Sequence, residues 1–146
     1  MPVLRRRLTL LAVAATAAVA GCGGRPFTAA ELQTAFASTF ANLYAQQQTV
    51  LGHPGVTASW AAPDAACRPA GGPGSGGTGH DWTCTVTWRA WNGSVTSADF
   101  DLETRAEGCY TATGPAPVVG PGRLSRPGGG DVVNPLLAFD GCFPTS

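Results

Sequence analysis

The chain has 146 residues, and its nine arginines are balanced by nine acidic residues to a formal net charge of zero. Three of the arginines lie together at positions 5–7, so the part from residue 22 onwards carries six arginines, nine acidic residues and a net charge of −3. A chain of this length suits one domain with a modest core. A slightly acidic domain without a basic stripe argues against nucleic acid as a partner.

The first 21 residues have the organisation of an export signal. Arg5, Arg6 and Arg7 precede an uncharged, mostly apolar run from Leu8 to Ala20, and small residues close it. This order is typical of a signal peptide. The run is shorter than the roughly 20 apolar residues of a membrane-spanning helix. The arginines also allow a twin-arginine signal, but Leu8-Thr9-Leu10 fits that motif loosely, so an ordinary basic segment is the preferred interpretation.

The end of this segment, Val19-Ala20-Gly21-Cys22, resembles the lipobox of bacterial lipoproteins. The resemblance implies cleavage before Cys22, acylation of Cys22 with a fatty acid such as palmitate, and a place on the extracytoplasmic face of the cell membrane. Residues 1–21 are then the signal peptide, 22–27 a short tether and 28–146 the anchored domain. The chain lacks lysine and is rich in alanine and arginine, which is typical of GC-rich genomes. It is similar in this respect to the small cell-envelope lipoproteins of actinobacteria.

The firmest structural prediction is an amphipathic helix over residues 29–48. Thr28 and Glu31 form a capping box, and Phe27 with Leu32 forms a hydrophobic staple around it. Apolar residues then recur at spacings of three and four, which indicates a core-facing stripe: Leu32, Phe36, Phe40, Leu43 and Tyr44. Gly52 ends the pattern, and we expect fraying over residues 46–51.

A short strand is predicted from Val56 to Trp60, ended by Pro63, and a glycine-rich loop over residues 68–80. Gly72, Gly74 and Gly77 in this loop satisfy the spacing G-x-G-x-x-G. That fingerprint binds phosphate only between a strand and a helix. Here Arg68-Pro69 precedes it and a strand-like run follows, so the phosphate interpretation is rejected.

The run Asp81 to Arg89 alternates as a strand does, and Asn92-Gly93 marks a hairpin after it. A two-residue turn would place the aspartates of the next strand in the core, which is costly. A three-residue loop, Trp91-Asn92-Gly93 with a left-handed Gly93, instead brings apolar residues together across the two strands. The predicted pairs are Trp82 with Leu102, Cys84 with Phe100, Val86 with Ala98, and Trp88 with Thr96.

In this register an acidic ladder of Asp99, Asp101 and Glu103 lies on the outer face with Ser97. It is either a site for a cation or a cationic partner, or a solvated sheet face. We prefer the second, because carboxylates spaced by two on one strand rarely converge on one ion. Trp91 at the hairpin tip is either an exposed contact or folded back on its own strand, and the second is preferred.

The C-terminal part is read as one more strand, Cys109 to Thr113, then a Pro- and Gly-rich stretch over 114–131, and a returning segment over 132–143. The stretch has Val118, Val119 and Leu124 as its only sizeable apolar residues, too few for more than an edge strand. In the returning segment the core candidates are Leu136, Leu137 and Phe139. Pro135 makes a central strand unfavourable there.

Four cysteines remain once Cys22 is acylated, an even number in an oxidising compartment, and we predict two disulfides among Cys67, Cys84, Cys109 and Cys142. No C-x-x-C spacing supports zinc instead. In a meander Cys84 and Cys109 would lie about 9–10 Å apart, beyond the roughly 7 Å that a disulfide spans, which excludes that pairing. Of the two remaining connectivities, Cys67–Cys84 with Cys109–Cys142 is preferred because each bond closes a Gly/Pro-rich excursion.

No catalytic, cofactor or metal motif rises above background, so no enzyme activity and no cofactor are expected. His80-Asp81 is a poor catalytic pair because neighbours on a strand face opposite ways. The sequence therefore predicts an α+β domain, one N-terminal helix on an antiparallel meander of about four strands with two disulfides. The resemblance implies a non-enzymatic envelope role, with the membrane as a partner through Cys22 and an envelope protein or small ligand as the second. Trp60 and Trp91 are the candidate contacts. The alternatives are a small-ligand carrier, or a hydrolase whose site only the fold assembles.

Overall fold

The computed structural model describes residues 27–73, 81–105 and 108–143. The predicted signal peptide, Cys22, the tether up to residue 26 and His80 lie outside these ranges. No helix within them is long and apolar enough to cross a membrane. The elements in chain order are α1 (Ala29–Val50), α2 (Ala58–Ala61), β1 (Asp64–Pro69), β2 (Asp81–Arg89), β3 (Val95–Thr104), β4 (Cys109–Thr113), α3 (Ala116–Val119), β5 (Arg123–Ser125), β6 (Asp131–Val133) and β7 (Ala138–Cys142).

The main sheet has five antiparallel strands in the order β1-β2-β3-β4-β7, and α1 packs against one of its faces. The predicted α+β class, with one long helix on an antiparallel sheet, is confirmed. The sheet has one strand more than the predicted four. β5 and β6 form a separate two-stranded ribbon in the connection between β4 and β7.

Helix α1 begins where the sequence places it. Thr28 Oγ1 accepts from the Glu31 N–H at 3.2 Å, and the Glu31 carboxylate accepts from the Thr28 N–H at 2.8 Å, so the capping box is complete. The helix continues to Val50 instead of fraying from residue 46, because Gln47 and Gln48 are buried at 4% and 3% exposure. They extend the apolar stripe, since they lie three and four residues after Tyr44.

The prediction of a strand from Val56 to Trp60 is wrong. Thr57 Oγ1 accepts from the Trp60 N–H at 3.1 Å and caps a single helical turn, α2. The strand lies further on, as β1, where only the small side chains of Ala65 and Cys67 face the core. Such small residues give a weak alternating pattern, and for that reason the sequence does not reveal β1.

The β2–β3 hairpin has the predicted register. Trp82 pairs with Leu102, Cys84 with Phe100, Val86 with Ala98, and Trp88 with Thr96. Ala90 N–H donates to the Ser94 carbonyl at 2.8 Å and closes a three-residue loop. Gly93 has φ +85°, a conformation that favours glycine, so the predicted G1-type loop is confirmed.

An aromatic cluster fills the space between α1 and the sheet. Phe36 is fully buried and lies with its ring centroid 5.3 Å from Phe100 and 5.8 Å from Phe139. Tyr110 on β4 lies over Gly141 of β7, where an added Cβ would collide with the tyrosine ring. The predicted core candidates of the last segment are all used, with Leu136 buried and Leu137 and Phe139 partly buried against the cluster.

Both predicted disulfides, Cys67–Cys84 and Cys109–Cys142, are present. Each joins residues that are directly opposite on neighbouring antiparallel strands. The two bonds lie on opposite faces of the sheet: Cys84 is fully buried beneath α1, whereas Cys142 is exposed on the outer face. The sheet itself therefore dictates the pairing.

The Pro- and Gly-rich stretch carries more structure than predicted. Instead of one edge strand it forms the turn α3 and the ribbon β5–β6, with Val119 and Leu124 buried and Val118 half exposed. Asn134, at 1% exposure, links this stretch to its surroundings. Its Nδ2 donates to the carbonyls of Val119 (2.9 Å) and Pro121 (3.0 Å), while its Oδ1 accepts from the Leu136 N–H (3.0 Å).

Candidate functional site

Trp60 and Trp91, the two predicted contact residues, come together beside the tip of the β2–β3 hairpin. With His53, Gly55 and Val56 they line an open depression of about 220 Å³, here named the tryptophan groove. Their exposures are 37% and 53%, whereas Trp82 and Trp88 are each only 4% exposed. The fold therefore separates the four tryptophans into two core residues and two surface residues.

Trp60 is held from both its backbone and its ring. The α2 cap fixes its backbone, and its Nε1 donates to the Ala90 carbonyl at 3.3 Å. The Arg89 guanidinium lies 4.7 Å from the centre of the Trp60 ring, within the range of a cation–π contact. These contacts give the indole a defined orientation although part of its surface is open to solvent.

Trp91 is 53% exposed, and the prediction that it folds back on its own strand is wrong. Its ring stacks on His53, with ring centroids 4.3 Å apart and planes 5° from parallel. Its backbone N–H donates to the Tyr44 hydroxyl at 3.0 Å, which ties the hairpin tip to α1. His53 is itself positioned by its backbone N–H, which donates to the Gln48 carbonyl at 2.8 Å. His53, from the segment after α1, therefore supports the Trp91 ring in place of the hairpin strand.

A second cavity of about 370 Å³ also includes Trp91 in its lining. It lies between the C-terminal end of α1, the β2–β3 hairpin and residues 118–124, and is here named the amide cleft after Gln47 and Gln48 in its wall. Trp88, Leu124 and Leu136 contribute buried apolar surface. Because Trp91 lines both cavities, the tryptophan groove and the amide cleft are adjacent.

Tyr44 contributes a neutral hydroxyl to the amide cleft. Burial raises the pKa of Tyr44 above its ordinary value of 10.0, and the hydrogen bond from the Trp91 backbone N–H and the nearby Trp88 indole offset part of this rise. The Trp88 Nε1 lies toward that hydroxyl without reaching good hydrogen-bond geometry. Because phenolate formation is disfavoured, Tyr44 stays protonated at neutral pH.

The predicted acidic ladder lies on the outer face of the sheet. Asp99, Asp101 and Glu103 are all exposed, and Asp99 accepts from Thr85 Oγ1 on β2 at 2.5 Å. Arg105 and Asp140 approach to 3.9 Å on the same face. Among residues 27–73, 81–105 and 108–143, no group of three or more His, Cys, Asp or Glu side chains is arranged to hold a metal ion. The three carboxylates lie on the outer face of β3, where the predicted register places them.

His53 lies in an aromatic environment rather than beside an acid. The described residues that line the tryptophan groove with it are Gly55, Val56, Trp60 and Trp91, none of which carries a carboxylate. Such a groove offers surfaces for stacking and apolar contact.

The buried amides are the part of the site that sequence reasoning missed. Gln47 Nε2 donates to the Val119 carbonyl at 2.7 Å and to Asn134 Oδ1 at 2.9 Å, and Gln48 Nε2 donates to Gln47 Oε1 at 3.1 Å. The available signal was the continuation of the helix stripe from Tyr44 onto two glutamines. The Val119 and Asn134 partners of Gln47 lie 72 and 87 residues further along the chain, and no local pattern in the sequence indicates these contacts.

Comparisons of the chain with protein-family models, with curated proteins and with solved structures find no match. The functional argument therefore depends on the chain's own residues.

Proposed function

We propose that this chain is an extracytoplasmic lipoprotein, anchored to the cell membrane through acylated Cys22, whose domain has a non-enzymatic binding role in the cell envelope. The observation that carries the binding role is the tryptophan groove, in which two partly exposed indoles are held in place by contacts from other segments. Tryptophan offers a large apolar face with a polar N–H and is enriched among residues that dominate binding energy. A protein loop or small molecule with an apolar face fits such a groove.

The position of the groove relative to Cys22 supports this role. Phe27, the first described residue, lies at the start of α1 and stacks on Phe143 with ring centroids 4.7 Å apart. The groove lies past the other end of α1, whose 22 residues span about 33 Å at ~1.5 Å per residue. Residues 23–26 give the tether a reach of only about 17 Å from Cys22 to Phe27, at ~3.4 Å per residue. The groove would then lie on the side of the domain away from the membrane and face the envelope space.

The anchor is tested by replacing Cys22 with serine. We expect the wild-type product to partition into the membrane fraction and to have the mass of a chain starting at Cys22, with added acyl groups and two disulfides. Cys22→Ser should move the protein to the soluble extracytoplasmic fraction or leave its signal uncut, because serine has no thiol to acylate. Intact mass spectrometry measures cleavage, acylation and disulfide formation, and cell fractionation measures the location of the protein. A wild-type product that keeps residues 1–21 would contradict the anchor.

The groove is tested by Trp60→Ala and Trp91→Ala. Removing a tryptophan anchor from an interface typically costs about 2 kcal/mol or more, so we expect binding to weaken by about thirtyfold or more in each variant. Binding would be measured as the concentration-dependent co-sedimentation of the purified protein with cell-wall material of its host, and as photo-crosslinking from the groove to envelope proteins.

Val95→Ala is the matched control, because Val95 is 76% exposed on β3 and lies outside the groove. It should bind within about twofold of the wild type. If Trp60→Ala and Trp91→Ala also bind like the wild type, or if the wild type binds neither material, the groove does not have this role.

A carrier of small ligands is the second candidate, and the amide cleft is the specific observation that favours it. The cleft has a volume of about 370 Å³, within the range of roughly 300–1,000 Å³ that is usual for small-molecule sites.

A further inference from the structure

A chain of hydrogen bonds fixes the orientation of every amide beside the amide cleft. The Leu136 N–H donates to Asn134 Oδ1 at 3.0 Å, so the other end of that amide is the NH₂ group, which donates to two carbonyls. Gln47 Nε2 then donates to Asn134 Oδ1 and to the Val119 carbonyl. Because both of these partners are acceptors, the Gln47 amide is oriented with its nitrogen toward them and its oxygen toward the next residue, Gln48.

Gln48 is the last amide in this chain. Its Nε2 donates to Gln47 Oε1 at 3.1 Å, because an oxygen in that place would repel the Gln47 oxygen. Its Oε1 is buried and has no hydrogen-bond partner among the described residues. Gln48 is 3% exposed and forms part of the wall of the amide cleft. The wall of the cleft therefore includes a residue whose side chain carries a buried, unsatisfied acceptor of fixed polarity.

The rest of the lining limits the charge and size of an occupant. None of the described residues that line the cleft carries a charged side chain, and Tyr44 stays neutral. Most of the wall is apolar, with Trp88, Leu124 and Leu136 buried. Trp91 and Val118, also in the lining, are 53% and 45% exposed and mark the side that is open to solvent.

We propose that the amide cleft binds a small, neutral, mostly apolar organic molecule whose O–H or N–H group donates a hydrogen bond to Gln48 Oε1. A buried acceptor without a partner favours a ligand that supplies a donor over one that does not. An anion would have to lose its hydration without gaining a cationic partner, so charged ligands are disfavoured. This inference rests on the second proposed function, the carrier of small ligands, and its site is distinct from the tryptophan groove because Trp60 takes no part in it.

The test compares 4-propylphenol with its methyl ether, which has the same apolar body but no donor. Each probe is titrated into the purified, disulfide-bonded chain while the side-chain amide signal of Gln48 and the indole signal of Trp88 are followed by NMR. We expect the phenol to bind at least about fivefold more tightly than the ether and to shift both signals. This comparison needs no variant.

Gln48→Met removes the acceptor at similar length and should reduce the preference for the phenol to less than about twofold. Gln46→Met, the same change at an exposed position of α1, should keep the preference, as should Trp60→Ala. The proposal is overturned if the wild type binds both probes equally or neither, or if Gln46→Met loses the preference as well. Loss of partner binding in Trp60→Ala with an unchanged phenol preference would separate the groove from the cleft.

Discussion

Replacement of Cys67 and Cys84 together by alanine is expected to lower the free energy of unfolding by about 3 kcal/mol. The bond joins residues 17 apart in sequence, and closing a loop of about that length stabilises a protein by roughly 3 kcal/mol in the chain-entropy model. The bond also holds β1, an edge strand whose core-facing side chains are small, against β2. Urea unfolding followed by tryptophan fluorescence measures the change.

The second disulfide provides the comparison. Removing Cys109 and Cys142 opens a separation of 33 residues and should cost a similar amount, about 3 to 4 kcal/mol. The two bonds should differ in their reaction with a reductant under native conditions. Cys142 is exposed, whereas Cys84 is fully buried, so alkylation and mass mapping should find Cys109–Cys142 opened first. Simultaneous opening of both bonds in folded protein, or a loss below about 1 kcal/mol for the first pair, would contradict this account.

Asn134→Ala is expected to lower the free energy of unfolding by about 2–4 kcal/mol. The substitution leaves the Leu136 N–H and two carbonyl groups without the Asn134 amide, and it removes one of the two acceptors of Gln47. Each buried polar group left unsatisfied costs about 1–3 kcal/mol, and neighbouring losses in one network do not add fully. Chemical unfolding gives the magnitude. Faster amide hydrogen exchange over residues 116–134 should show that the ribbon and α3 are loosened most.

Asn42→Ala is the matched control, because Asn42 is an exposed asparagine on α1 whose amide bonds only to the Ser38 carbonyl. It should change the free energy of unfolding by no more than about 0.5 kcal/mol. If Asn134→Ala falls in the same range, the buried amides do not hold the ribbon to α1.

Sequence reasoning succeeded where the determinants lie close together in the chain. The capping box depends on Thr28 and Glu31, three residues apart, and the hairpin register depends on one turn and the alternation on either side of it. For the disulfides, the predicted meander excluded only Cys84–Cys109, and the choice between the other two connectivities depended on the Gly/Pro-rich excursions that the bonds close. The predictions failed at β1, because small alanine and cysteine side chains produce only a weak alternation of apolar and polar residues. They also failed at Val56–Trp60, because the Thr57 cap favours a helical turn over the strand that the alternating pattern predicts.

The candidate site could be predicted only in part. Trp60 and Trp91 stand out in the sequence as aromatic residues beside turns, but their meeting with His53 depends on three separate segments. Gln47, Gln48 and Asn134 look like ordinary polar residues. Only the structure reveals that they form one buried network, with one acceptor that has no partner among the residues the structure describes.

The amino-acid sequence by itself determined the long helix, the central hairpin with its register, and the α+β class, because caps, turns and side-chain periodicity act over a few residues. Tertiary structure alone decided the fifth strand, the β5–β6 ribbon, and the convergence of the tryptophans and buried amides. Those features depend on contacts between residues as many as 87 positions apart in the sequence. Such contacts stabilise the protein only after folding has brought the residues together.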